Sequence, residues 1–265
     1  MEMLLRHLQI VVRWFVTVDH VLRRRDPVQR PEERPAAGNH ASLTSANGSC
    51  LPLQKVAAIV LVFGPVYGTA MGAYAFVVGK RSLVEQLPQL IYSGVKVPLL
   101  IALTVAISLP SFFVINTLLG LRDDFREAFR AIVSVQAGMA VILVSLFPLT
   151  LFSYISLAAT ESSYPLAILV NAGMFGLASV SAQVLLRGYY QELIDRNRRH
   201  LWMVRMWILV YAFVGIQAGY VLRPFIGDPD SPTTFLRKES FQNAYVKVIE
   251  LVWQVLSEFS WPGFP

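Results

Sequence analysis

The stretch "VAAIVLVFGPVYGTAMGAYAFVV", Val56–Val78, runs for 23 residues without a charged side chain. As an α-helix rising 1.5 Å per residue, it matches the ~30 Å hydrocarbon core of a bilayer. Inside it Gly64, Gly68 and Gly72 recur at every fourth position, with Pro65 beside the first. That spacing has three readings. A phosphate-cradling loop needs a Lys after its last glycine and a strand before it, whereas Ala73 and Tyr74 follow here. A hinge survives only at Pro65. What remains is a face of overlapping small-xxx-small repeats, which lets two helix backbones approach closely in lipid. The facing surface expected for it is Asn171, Ala172 and Gly176 of a later span, or Gly215 and Gly219 of the last one.

Four further apolar runs have spanning length: Val97–Leu119, Ala131–Leu157, Tyr164–Leu186 and Met206–Leu222. None holds an Asp, Glu or Lys in its interior. One central Lys or Asp would oppose insertion by about 3 kcal/mol. Composition agrees, with 55% of 265 residues apolar and only 15% charged. Mean hydropathy is +0.52. The fold class expected is all-α: a polytopic helical membrane protein with five transmembrane helices and amphipathic helices at both termini.

The ends supply those amphipathic pieces. In residues 1–25, Arg6, Gln9, Arg13, Thr17, His20 and Arg24 recur at steps of three or four, opposite Leu4, Leu5, Leu8, Val11, Val12 and Phe15. This pattern suits a helix lying in the membrane interface. Arg13 interrupts its apolar core, and no A-x-A follows, so a signal peptide is not expected. Residues 26–55 read as a linker broken by Pro27, Pro31, Pro35 and Pro52. Residues 56–222 hold the spans. Residues 223–265 form a loop and a second amphipathic segment, Phe241–Phe259. Its polar stripe is Asn243, Lys247, Glu250, Gln254 and Ser257.

Loop charge sets the expected orientation. Of 23 Lys and Arg residues, sixteen fall in the N-terminal segment, between spans two and three, and around the loop entering span five. The positive-inside rule then places the protein in the cell membrane with its N-terminus cytoplasmic and its C-terminus outside. The net charge of +6 is accounted for by these flanking cations. No aromatic-interleaved basic fold points to nucleic acid.

Chemistry is sparse. Cys50 is the only cysteine, and the four histidines lie far apart. No spacing suggests a metal ligand set, and no cofactor is expected. Asn116, Gln136, Asn171, Gln183 and Gln217 are uncharged intramembrane side chains, suited to interhelical hydrogen bonds rather than a proton relay. Pro65, Pro110 and Pro148 should kink or locally unwind the first three spans. Asp123 and Asp124 are a candidate Mg²⁺ pair, but their setting, "LRDDFREAFR", reads as a solvated turn. Arg196, Arg198 and Arg199 form a basic loop able to meet anionic lipid or a partner. Beyond span five, Arg223 is expected to clasp Asp228 or Asp230 within a Pro-rich turn. The same three residues are candidates for partner contact.

The run "YSGVKVPLLIALTVAISLPSFFVINTLLG", Tyr92–Gly120, followed by a short charged loop and a span ending "FPLTLFSYIS", resembles the bacterial branch of the Yip-domain superfamily. The resemblance covers about residues 56–222. It implies a cytoplasmic N-terminal region followed by about five close-set helices. The trafficking members' acidic-Leu-x-Gly-Pro signature is not matched: Val62 and Phe63 precede Gly64–Pro65, which lies inside the span. The function expected is therefore non-catalytic. The chain reads as a scaffold or accessory subunit of a membrane assembly, meeting lipids and other membrane subunits or itself. The alternative is a transporter or channel for a small or lipidic solute.

Overall fold

The computed structural model describes residues 51–158, 163–228 and 232–236, together with Val246, Ile249, Glu250 and Trp253. The interfacial helix expected over 1–25 and most of the linker lie outside these residues, as do Asp230 and most of 241–259. The four residues described near the C-terminus are helical and exposed.

The helices in chain order are α1 (Leu53–Gly72), α2 (Tyr74–Val77), α3 (Leu83–Leu118), α4 (Phe125–Ser145), α5 (Phe147–Leu157), α6 (Ser163–Tyr189), α7 (Gln191–Arg196) and α8 (Arg199–Val221). A 3₁₀ turn, Arg122–Asp124, leads into α4. There is no strand among the described residues. Five stretches are long and apolar enough to cross a membrane: α1, α3, the run Arg122–Leu157, α6 and α8. The described chain is a multi-pass helical membrane protein. Its centre is α1, which packs on α3 and α4. On the flanks, α8 packs on α3, and α6 packs on α4 and α5. Tyr67, Tyr74, Phe112, Ile132, Leu143, Tyr154 and Trp207 fill the interior.

The largest departure from the sequence reading is α3. The apolar run that marks this span begins at Val97. The helix instead starts at Leu83 and runs 36 residues, about 54 Å at 1.5 Å each. A capping box starts it. The Ser82 hydroxyl accepts from the Glu85 N–H, and the Glu85 carboxylate accepts from the Ser82 N–H at 2.9 Å, so two end donors are satisfied. Gly120 ends it in the left-handed region, at φ 72°. There the Leu121 N–H bonds the Asn116 carbonyl and the Asn116 side chain bonds the Leu121 carbonyl.

The prolines act less uniformly than expected. Pro65 lies inside α1, and Pro88, Pro98 and Pro110 inside α3, without ending either helix. Only near Pro148 does the helix break, with Leu146 separating α4 from α5. Pro148 then sits in the first turn of α5, where its missing N–H has no intrahelical partner to lose.

Candidate functional site

The glycine face of α1 meets α3. A Cβ on Gly64 would lie 3.1 Å from the Pro98 ring, and one on Gly72 would lie 2.9 Å from the Gln89 carbonyl oxygen. At Gly68 the added carbon would sit 2.8 Å from the Gly94 Cα and closer still to the Ser93 carbonyl oxygen. This corrects the expected partners, Asn171 and Gly176 or Gly215 and Gly219. The short connection from α1 to α3 brings the two helices together antiparallel, and the small face is used within the chain. Gly176 and Gly219 have open space where a Cβ would stand. Gly215 faces Thr104 of α3 at 3.4 Å.

Beyond that contact, the early turns of α3 carry a polar stripe of Gln86, Gln89, Ser93 and Lys96, all fully buried. Lys96 directly precedes the apolar run that starts at Val97, and the extended α3 places it inside the bundle. Its ammonium donates to the Pro224 carbonyl at 2.6 Å and lies 4.9 Å from the centroid of the Phe235 ring. Gln89 donates to Ser93 and to the Phe225 carbonyl, each at 3.0 Å. The Ser93 hydroxyl donates to that same carbonyl. Tyr164 of α6 donates to the Ile226 carbonyl at 3.3 Å, and Arg81 reaches Thr233 at 3.1 Å. The start of the segment after α8 is thus held by side chains of α3 and α6 through its backbone carbonyls, and Thr233 is held through its hydroxyl. Gly227 is required there: a Cβ would stand 2.8 Å from Gln89 Cγ.

Arg223 begins this segment. Its guanidinium stacks on the Tyr220 ring at 3.7 Å and donates to the Tyr220 hydroxyl. Among the described residues Arg223 is clasped to Tyr220, and a planar guanidinium is well suited to an aromatic face; the expected partner Asp230 lies outside them.

Between the two ends, amide and phenol groups close on one another. Gln136 of α4 accepts from Tyr211 of α8 at 2.9 Å. Asn171 of α6 donates to the Tyr154 hydroxyl at 2.8 Å, and Tyr154 donates to the Met71 carbonyl at 3.2 Å. Gln86 donates to the Gly72 carbonyl. Asn171 thus serves a hydroxyl of α5 instead of the glycine face. Each bond pins a different pair of elements, and such bonds contribute about 0.6 kcal/mol apiece in lipid.

At the far end of α3, Asp124 joins three elements. One carboxylate oxygen lies 2.9 Å from His200 Nε2, and the other accepts from Arg196 at 3.0 Å. Arg196 also lies 3.5 Å from Glu127. His200 is fully buried, with the Tyr190 ring edge-on at 6.0 Å. Burial first, and the Asp124 charge second, push the Tyr190 phenol far above its usual range. Arg199 donates to the Leu119 carbonyl at 3.2 Å, while Arg198 is exposed. Asp124 is thus engaged by a cation and an imidazole. No group of three or more potential metal-ligating side chains occurs among the described residues.

The helices define a class, multi-pass α-helical membrane proteins. Against known proteins, no family model, no curated protein and no solved structure matches the chain.

Proposed function

We propose that the chain is a non-catalytic integral membrane protein that acts by assembly, as a scaffold or accessory subunit. One observation carries this reading: the amides and phenols of the spans are turned inward onto the chain's own groups, as in the Gln136–Tyr211 and Asn171–Tyr154 pairs. Their geometry serves packing, and it leaves the outward faces apolar. Leu177, Val180 and Val184 of α6 and Leu209, Phe213 and Ile216 of α8 are all exposed. Such faces meet lipid or another subunit. The reading includes insertion in the cell membrane with the Asp124 end cytoplasmic, in keeping with the concentration of arginines there.

Purification in mild detergent after in-membrane crosslinking tests it. The expected result is a crosslinked partner, a second copy or another membrane chain. A particle that remains a single chain under both conditions would contradict the proposal.

The carrier reading draws on the Pro148 break between α4 and α5, since broken helices build substrate sites in transporters. Solute-dependent flux in liposomes would favour it over assembly.

A further inference from the structure

We infer that Gln89, Ser93 and Lys96 form a binding site for the phosphate of an anionic phospholipid with a hydroxyl-bearing headgroup, and that the chain's own carbonyls at Pro224 and Phe225 occupy that site here. The inference is independent of the assembly reading.

Three side-chain donors spaced four and three residues apart lie on one face of α3. They converge on two consecutive carbonyl oxygens. Convergent donors with a cation among them are the chemistry that holds an oxyanion. Lys96 is completely buried, yet its described contacts are one carbonyl and two aromatic faces, Phe225 at 6.0 Å and Phe235 at 4.9 Å. A carbonyl dipole compensates a buried ammonium less well than a negative charge does. An entering phosphate would therefore displace the strap rather than add to it.

Two further observations specify the ligand. The Oε1 atoms of Gln86 and Gln89 are buried and have no hydrogen-bond partner among the described residues. They are acceptors beside a donor row, placed to receive headgroup hydroxyls such as those of glycerol. On the outward side of the same helix, Val84, Leu87, Ile91 and Val95 are exposed at spacing three, four, four. They border lipid, on the opposite face of α3 from the donor row. Release of the strap requires Gly227 to come away from Gln89, against which it packs with no room for a Cβ, and the Tyr164 hydroxyl to let go of the Ile226 carbonyl.

The test uses the full chain in detergent micelles. It offers phosphatidylglycerol, phosphatidylcholine and, in separate arms, free glycerol phosphate and inorganic phosphate. Native mass spectrometry reads the lipid retained, and thermal shift reads the soluble anions. Gly227→Val, whose added carbons would press on the Gln89 side chain and so lift the strap, should raise phosphatidylglycerol retention over phosphatidylcholine by about tenfold, the equivalent of ~1.4 kcal/mol. Adding Lys96→Gln should return retention to the phosphatidylcholine level. Tyr164→Phe is the gentler opener if Gly227→Val does not fold, with the same expected direction. An equal response to either soluble anion overturns the lipid assignment. If neither opener increases retention, or the increase survives Lys96→Gln, the site itself is overturned.

Discussion

Gly68 of α1 faces Gly94 of α3 so closely that a single carbon added to Gly68 would stand 2.8 Å from the Gly94 Cα. Two backbones meet there without side chains between them. In lipid that contact replaces the hydrophobic drive that brings helices together in water. Gly68→Ala should therefore destabilise the folded protein by about 1–3 kcal/mol, the usual cost of overpacking, while leaving membrane insertion unchanged. Thermal unfolding in detergent measures it, and a melting temperature equal to wild type would show that the contact is loose.

Gly176 provides the matched control. Nothing lies within 4 Å of its absent Cβ, so Gly176→Leu should leave the melting temperature of the isolated chain unchanged. If the outward face of α6 is where another subunit docks, the same variant should reduce the crosslinked yield. A fall in intrinsic stability would mean that the position is packed.

The Asp124 end should divide its stability unequally. Asp124→Asn keeps the shape but removes the charge opposite the buried His200 imidazole, whose Nε2 lies 2.9 Å away. A loss of about 1–3 kcal/mol is expected, as for an orphaned buried polar group. Arg196→Ala removes a half-exposed partner and should cost no more than ~1 kcal/mol. Chemical denaturation of the two variants side by side reads the difference; equal losses would contradict the assignment.

The inward amide pairs predict small, separable effects. Tyr211→Phe removes the donor to Gln136, and Tyr154→Phe removes the partner of Asn171 and of the Met71 carbonyl. Each should lower stability by about 0.6–1.7 kcal/mol. The double variant should be close to additive, since the two pairs share no element. Strong coupling between them would mean that they act as one network.

Much of this architecture was legible because apolar length maps directly onto helices that can cross a bilayer. The five spans could be counted from charge-free runs such as Val56–Val78. The glycine face was legible too, but its partner was not. Small-residue spacing shows that two backbones approach without saying which two. The answer lies in the short connection through Gly79, which returns α3 antiparallel to α1. Missing Lys96 had a more specific cause. An apolar run begins where the charges stop, so Lys96 falls just outside the run that starts at Val97. Two patterns would have extended the helix: the capping box at Ser82 and Glu85, and the spacing of Gln86, Gln89, Ser93 and Lys96 at three, four, three. His200 gave no such sign. It stands isolated in the sequence, because its partner Asp124 lies 76 residues away and only the fold brings them together.

The central claim is that this chain works as part of an assembly. The most direct measurement is the mass of the particle when native membrane is extracted into polymer-bounded nanodiscs without detergent. A mass well above one 29.6 kDa chain, with the excess identified as protein, is the predicted result. A particle holding one chain and lipid alone, across expression levels, would contradict the account.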